Sequence, residues 1–230
     1  MTTDGIKEPL LLTIAVLGGT GKEGKGLAYR WAKAGYKVLI GSRSEERAVT
    51  AASEIMELAE GSTSIVGTSN HEAAQLADIV VLTVPFAAHR ETLESVKDVL
   101  KGKTLIDVTV PLVPPKVTKV QVPSAGSAAQ EAKEIVGEGV EVVAAFHSIS
   151  HEHLLKDDYV ESEVLVTGTS KDARAEVIKL VEAAGLTGWD AGPIENSVVP
   201  EGLTSVLIYI NKQYGSTHAG IKITGASNKQ

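Results

Sequence analysis

The sequence from Ile14 to Arg43 reads IAVLGGTGKEGKGLAYRWAKAGYKVLIGSR. An apolar run leads into a glycine-rich turn, then into apolar residues at helical spacing, and finally into a second apolar run that ends at Gly41. Strand, glycine turn, helix and strand in this order are typical of a unit that binds a dinucleotide. The alternative, a chance glycine loop, does not account for the strand before it and the helix after it.

The glycine turn predicts a phosphate-binding loop, made by Gly18, Gly19, Thr20, Gly21 and Gly24. We expect Gly19 to make the tight turn, Gly21 to let the backbone approach a pyrophosphate, and Gly24 to let the helix pack on the sheet. The helix that begins here would direct unpaired N–H groups and the positive end of its dipole at the anion.

The end of the second strand decides between the two nicotinamide cofactors. NAD-binding units place Asp or Glu about twenty residues after the glycines, where the carboxylate binds the ribose 2′-OH. Here the position reads Gly41-Ser42-Arg43, and Arg47 lies one helical turn further on. Ser42 and two guanidinium groups would bind a 2′-phosphate, which a carboxylate would repel. We therefore predict NADP(H), although Arg47 could instead be an ordinary surface charge beside Glu45 and Glu46.

Composition limits the other possibilities. The chain has 230 residues, enough for one large domain, and it contains no cysteine, which excludes disulfides, thiolate catalysis and zinc–thiolate sites. A net charge of −7 argues against nucleic acid or an anionic membrane as a partner. The first nine residues lack the order of a signal peptide and the apolar runs have only strand length, so we expect a cytoplasmic protein.

Strands continue to alternate with helices after Arg43, which predicts an α/β fold with a doubly wound, mostly parallel, Rossmann-like sheet. We assign residues 11–150 to an NADP-binding domain and residues 151–230 to a smaller α/β segment packed on it as one compact unit. We expect Asn70 to cap a short helix, and a single helix to run from Ala87 to Leu100.

A further apolar run, from Asp78 to Pro85, predicts a buried strand. Val84 and Pro85 lie at its carboxyl end, where open α/β sheets bind their ligands, so we count both as cofactor-binding residues. Phe86 follows directly, and either contacts the nicotinamide ribose or only packs under the next helix.

A second site is expected where other strand ends meet the nicotinamide. Pro111 follows one strand, His147 and Ile149 follow another, and Thr204 lies early on the last helix. His147 either orients a ligand or is a hydrogen-bonded structural histidine. The spacing of His147, His151 and His153 invites a metal interpretation, but structural zinc prefers cysteine-rich ligand sets, which this chain lacks, so we expect no metal there. We expect His71 and His89 to lie on the surface.

The ordered set of motifs resembles the family of NADPH-dependent reductases of coenzyme F420, a deazaflavin. The motifs that carry the resemblance are Gly18-Gly19-Thr20-Gly21 with Gly24-Lys25-Gly26-Leu27-Ala28, Gly41-Ser42-Arg43, Pro111-Leu112-Val113-Pro114, His147-Ser148-Ile149, Asp190-Ala191-Gly192-Pro193 and Gly220-Ile221-Lys222.

The resemblance implies an oxidoreductase that transfers hydride reversibly between the nicotinamide C4 of NADP(H) and C5 of coenzyme F420, with the two rings stacked in one cleft and without a metal. It implies that Thr20, Ser42, Arg43 and Arg47 bind NADP. It also implies that His147, Ile149 and Thr204 line the deazaflavin side, that a small C-terminal segment completes the pocket, and that the protein is a homodimer.

Two other readings of the residues remain open. A dehydrogenase or imine reductase of a small substrate would share the nucleotide-binding half, but such enzymes usually add a large helical domain, and here only residues 148–230 follow His147. A non-catalytic module would bind NADPH and pass hydride to nothing.

Overall fold

The computed structural model of the chain describes residues 12–59, 65–156 and 159–226. Eight strands form one sheet with the order β3-β2-β1-β4-β5-β6-β7-β8. The strands are β1 (Thr13–Leu17), β2 (Lys37–Ser42), β3 (Ile65–Ser69), β4 (Ile79–Leu82), β5 (Thr104–Asp107), β6 (Glu141–Ala144), β7 (Val164–Gly168) and β8 (Gly188–Pro193). All neighbours are parallel except β6 and β7, which run antiparallel. The predicted doubly wound, mostly parallel sheet is confirmed.

Helices cover both faces of this sheet. They are α1 (Lys22–Lys33), α2 (Glu45–Leu58), α3 (Asn70–Leu76), α4 (Phe86–Glu94), α5 (Ala128–Val136), α6 (His151–Leu154), α7 (Lys171–Ala183) and α8 (Val198–Tyr214). Among the described residues, short 3₁₀ turns at Lys97–Val99 and Ile194–Ser197 complete the helical elements. None of the helices in the described ranges combines the length and the apolar character needed to cross a membrane.

The period of two along β1 explains the two layers. Ile14 and Val16 point into a core shared with α1, α2 and α7, whereas Ala15 and Leu17 point into a core shared with α3, α4 and α5. Because both faces are covered, β1 is apolar at every position after Thr13, as parallel strands of this kind are.

The structure corrects several boundaries. Ser69, not Asn70, caps α3, because β3 extends to Ser69 and its hydroxyl accepts from the N–H of Glu72 at 3.2 Å. The helix expected over residues 87–100 begins at Phe86, ends at Glu94 and is followed by the separate 3₁₀ turn. The apolar run to Pro85 leaves the sheet after Leu82. Residue 11, the first of the predicted NADP-binding domain, lies outside the described residues.

Helix α1 is tied to the second half of the chain by two long side chains. The indole N–H of Trp31 donates to the carbonyl of Leu180 in α7 at 2.9 Å. The guanidinium of Arg30 donates to the carbonyls of Leu154 at 2.9 Å and His153 at 2.7 Å, both in α6. These bonds fix the short α6, which sequence periodicity does not predict, beside the helix that carries the glycine turn.

Candidate active site

A cavity of about 440 Å³ opens at the carboxyl ends of β1, β2 and β4, where the strand order reverses between β1 and β4. Ligands of doubly wound sheets bind at this kind of switch point. Its lining includes Gly18, Thr20, Gly21, Ser42, Arg43, Ser44, Arg47, Asn70, Thr83, Val84, Pro85, Ala88 and Thr92. Every predicted cofactor-binding residue is in this lining except Gly19, in the turn, and Gly24, in the first turn of α1.

The glycines of the turn have distinct roles. Gly18, rather than Gly19, has the positive φ, at +70°, and a Cβ there would lie 2.6 Å from Val84 Cγ1. A Cβ on Gly24 would lie 2.6 Å from Thr83 Oγ1, so Gly24 allows α1 to pack against the sheet as expected. A Cβ on Gly21 would meet only Gly18 O at 3.5 Å, so the space in front of this helix start is open. A pyrophosphate fits this open N-terminus.

The far end of the cavity has the charge that a 2′-phosphate requires. Arg43 and Arg47 are exposed, and no described carboxylate lies within ion-pair distance of either guanidinium, so pairing of Arg47 with its acidic neighbours is not seen. Ser42 is buried and its hydroxyl accepts from the N–H of Ser44 at 3.2 Å. The described lining contains no Asp or Glu. The residues present therefore fit NADP(H).

Sequence reasoning missed Asn70 as a site residue. Its Oδ1 accepts from the N–H of Gly18 at 3.3 Å, and a Cβ on Gly41 would lie 2.8 Å from the same oxygen. Asn70 therefore links the glycine turn to the end of β2. The signal was available, since an Asn follows β3 directly, but it was interpreted as a helix cap.

A second cavity of about 390 Å³ lies beside the first, at the ends of β5 and β6. Most of its walls are apolar, from Val108, Val110, Leu112, Phe146, Ile149, Leu207 and Ile208, and its polar lining includes Glu23, His147, Ser148, Ser150, His151, Thr204, Asn211 and Thr217, with Ala219. His147, Ile149 and Thr204 thus lie together as expected. Pro111 is buried and is not in the lining, whereas its neighbours Val110 and Leu112 are.

The C-terminal segment, residues 215–226 after α8, closes this cavity. Ala219 N–H donates to Asn211 Oδ1 at 2.8 Å, and Ile223 N–H donates to a carboxylate oxygen of Glu163 at 2.7 Å. The hydroxyl of Thr217 donates to Glu152 in α6 at 2.8 Å. These bonds hold Thr217 and Ala219 in the cavity wall, as expected of a segment that completes the pocket.

His147 is placed in the cavity by an unusual backbone. The preceding Phe146 has φ +70°, a conformation that non-glycine residues rarely adopt, and its ring packs edge-on against Trp31 with centroids 5.8 Å apart. The hydroxyl of Thr204 donates to the carbonyl of His147 at 2.8 Å. Both imidazole nitrogens are buried, and neither has a partner of good hydrogen-bond geometry. Burial lowers the pKa of His147 to about 4, and it outweighs the charge and backbone of Asp107, which lie close enough to act against deprotonation. The side chain is therefore neutral, and its nitrogens are free for a ligand.

The remaining histidines occupy different surroundings. His71 is exposed, as expected, but His89 is fully buried and not on the surface. Its Nε2 lies 2.7 Å from Asp107 and its Nδ1 lies 3.4 Å from Glu131. Burial opposes a charge on His89, but hydrogen bonds and charges of the two carboxylates outweigh it and raise the pKa. Among the described residues, no group of three or more side chains is arranged to hold a metal ion.

Phe86 lines neither of the two cavities. Its ring lies 5.9 Å from that of His89, one turn along α4. The geometry therefore favours the packing alternative for Phe86 over a contact with the nicotinamide ribose.

Comparison with known proteins identifies the relatives of this chain. Residues 13–111 match the family model described as NADP oxidoreductase, coenzyme F420-dependent. The F420-dependent NADP reductase of Methanothermobacter marburgensis is 40% identical over 220 residues, which cover 93% of this chain and 98% of the relative. The protein of the same name from Methanocaldococcus jannaschii is 36% identical, with coverage of 93% and 98%.

Solved structures support the fold. A crystal structure of a candidate F420-dependent NADP reductase from Arthrobacter sp. FB24 has a TM-score of 0.77 at 23% identity, covering 93% of this chain and 99% of that one. The reductive aminase of Aspergillus terreus has a TM-score of 0.58 at 16% identity, covering 89% of this chain but only 62% of its own. The similarity to the reductases from both organisms extends over nearly the full length of every chain, and the protein therefore belongs to the family of F420-dependent NADP reductases.

Proposed function

We propose that this protein transfers hydride reversibly between NADP(H) and the deazaflavin coenzyme F420. The observation that carries the proposal is the adjacency of two cavities of different character at one edge of the sheet. Gly21, which precedes α1, lines the polar nucleotide cavity, and Glu23, in the first turn of α1, lines the apolar one. Reacting rings held in neighbouring cavities can approach to about 3–3.5 Å, which hydride transfer needs.

On the nucleotide side, the chain supplies binding and orientation. The N-terminus of α1 at Gly21 and Thr20 would hold the pyrophosphate, and Ser42, Arg43 and Arg47 would hold the 2′-phosphate. Val84 and Pro85, at the end of β4, would place the nicotinamide towards the second cavity. These roles are proposals drawn from position and charge.

On the deazaflavin side, the apolar walls would exclude water from a planar ring, and the unpaired nitrogens of His147 would bond its polar edge. Ile149 and Thr204 would complete this contact, with Thr204 acting through the carbonyl of His147. When bound, NADPH supplies the hydride and the deazaflavin C5 accepts it, so the protein needs no covalent intermediate.

The two alternatives are less well supported. The reductive aminase of Aspergillus terreus, a small-substrate enzyme with the same fold, is much longer than this chain, which covers only 62% of it. A non-catalytic NADP-binding module would not need a second cavity that contains unpaired polar groups beside the nucleotide.

The test is to mix the protein with NADPH and oxidised coenzyme F420 and to follow the loss of the visible absorbance of the deazaflavin. We expect fast loss with NADPH and slow loss with NADH. No loss, in a protein that still binds NADPH, would contradict the proposed acceptor. Turnover of a cyclic imine or hydroxy acid instead would favour a small-substrate enzyme.

We also propose that the protein is a homodimer and acts in the cytoplasm without nucleic-acid partners. The apolar residues Val199, Val206 and Tyr209 are exposed along α8, at 58%, 42% and 54%, and a second copy would cover them. Sedimentation of the wild type and of Val206→Glu would test this, because the substitution should yield monomers. Monomeric wild type at micromolar concentration would refute the dimer.

A further inference from the structure

The side chain of Glu23 is not explained by nucleotide binding. It lies in the first turn of α1, the helix end that receives the pyrophosphate, where a second negative charge would repel the ligand. The residue as a whole is partly exposed, but its Oε1 is buried and has no hydrogen-bond partner. A buried acceptor without a partner is uncommon in a folded protein and points to a missing ligand.

The surroundings of Glu23 define what that ligand is. The carboxyl lines the apolar second cavity, where the imidazole of His147 is also buried and lacks partners on both nitrogens. Two polar groups without partners inside apolar walls fit a planar heterocycle with hydrogen-bonding atoms along one edge. A small anion would be bound better by a cavity lined with solvent-exposed charged side chains. The walls of this cavity are mostly apolar instead.

The protonation state of Glu23 indicates which hydrogen-bonding groups the ligand should carry. Burial raises the pKa of Glu23 to about 8. The titratable groups that share its cavity are His147 and His151, and Lys25 of the same helix is paired with Glu54. A neutral carboxyl offers one O–H donor and one carbonyl acceptor side by side. A cyclic imide edge, such as the pyrimidinedione of a deazaflavin, offers the complementary pair.

We propose that Glu23 is a substrate-binding residue of the deazaflavin cavity, whose neutral carboxyl donates a hydrogen bond to the pyrimidinedione edge of the ring. The inference rests on the proposed function and adds to it a contact outside the motifs that carry the family resemblance. Hydride addition at C5 places negative charge on this edge, so a donor there stabilises the charge as it develops. The same neutral state removes the repulsion between Glu23 and the pyrophosphate.

The test compares Glu23→Gln and Glu23→Leu with the wild type. Gln keeps a neutral donor and an acceptor of similar shape, whereas Leu removes both. We expect Leu to weaken equilibrium binding of the deazaflavin, measured by its fluorescence without NADPH, by about tenfold below neutral pH. Gln should bind it as the wild type does, and binding of NADPH should stay unchanged in both variants.

The dependence on pH gives a readout that a structural role would not move. Affinity of the wild type for the deazaflavin should fall by up to about tenfold for each pH unit above the pKa of Glu23, because the ionised carboxylate no longer donates. Glu23→Gln should lack this loss. The control is Glu57→Gln, the same charge change at an exposed position on α2, which should retain the wild-type profile.

The inference fails if Glu23→Leu binds the deazaflavin as tightly as the wild type, or if Glu23→Gln retains the alkaline loss of affinity. A Gln variant as weak as the Leu variant would also contradict it, since the donor would then not be the essential feature. A wild type that binds no deazaflavin would contradict the proposed function itself, a result distinct from these.

Discussion

Two guanidinium groups, which have no carboxylate partner among the described residues, lie at the end of the nucleotide cavity where we propose that the 2′-phosphate binds. Arg43 follows β2 directly, and Arg47 lies one turn into α2, so both are positioned by the strand and the capped helix that follows it. The N-cap hydroxyl of Ser44 accepts from the N–H of Arg47. Their positions depend on backbone elements rather than on long side-chain contacts, so single substitutions should change binding without changing the fold.

Arg43→Glu should raise the KM for NADPH by about 10- to 100-fold, because it removes a charge-assisted bond worth roughly 1.5–3 kcal/mol and adds a repulsive charge. The KM for NADH, which lacks the 2′-phosphate, should not rise. Steady-state kinetics with both nucleotides measures this, and thermal unfolding checks that the variant is folded. An unchanged KM for NADPH would refute the assignment of Arg43.

His147 should make the stability of the protein depend on pH. Its folded pKa of about 4 lies below the ordinary value of 6.5 because of burial, so the unfolded chain takes up a proton that the folded chain refuses. The contribution of His147 to the free energy of unfolding should therefore fall by about 2 kcal/mol as the pH drops from about 7 to about 5, while the buried Glu23 acts in the opposite sense because its pKa is raised. Urea unfolding of the wild type and of His147→Asn at each pH would isolate the contribution of His147, because the variant should lack it. Equal pH dependence in both would contradict a buried neutral histidine.

At the scale of elements, one carboxyl group joins α8 to α5. Glu201 of α8 accepts from the backbone N–H of Ala128 at 2.7 Å and of Ala129 at 3.1 Å, the first residues of α5. Thr204, which bonds the carbonyl of His147, lies one turn further along α8. The contact at the start of α5 therefore helps to set the position of the second cavity.

Glu201→Ala should lower the free energy of unfolding by about 2–4 kcal/mol, since it leaves two buried N–H groups unsatisfied. Chemical denaturation measures the loss, and Glu195→Ala, an exposed glutamate before the same helix, should change stability by no more than about 0.5 kcal/mol. A loss at position 201 no larger than that of the control would show that the bonds to α5 contribute little.

Sequence patterns predict elements well where the signal is local. The alternation of strands and helices and the Gly24 packing position follow from the apolar runs and the glycine spacing, whereas the grouping of His147, Ile149 and Thr204 is what the family resemblance implies. Helix α6 was missed because four residues show no periodicity, and Arg30 holds it through bonds to its carbonyls.

The buried side chains depend on distant partners and could not be predicted in the same way. His89 was expected on the surface, but Asp107 and Glu131, from two other elements, hold it inside. Glu23 appears in the sequence as an ordinary acidic residue in a first helical turn. Glu23 lies beside an apolar cavity because Phe146, which packs on Trp31 of α1, and His147 line the same cavity.

At the scale of the whole molecule, the sheet brings two binding sites to one edge. The nucleotide cavity lies over the ends of β1, β2 and β4, and the apolar cavity lies over the ends of β5 and β6, with α8 and the C-terminal segment as its outer wall. Residues 149–151 all line the second cavity, so the proposed boundary at residue 150 passes through its wall and both segments contribute to one site.

The central claim is that hydride passes directly from the nucleotide in one cavity to the ring in the other. The most direct measurement is to supply NADPH with deuterium at the transferred C4 position, together with oxidised coenzyme F420, and to analyse the reduced deazaflavin by mass spectrometry. Direct transfer predicts deuterium on C5 of the deazaflavin, because a hydrogen on carbon does not exchange with water. Reduced deazaflavin without deuterium would mean that the hydride passes through an exchangeable carrier and would contradict the account.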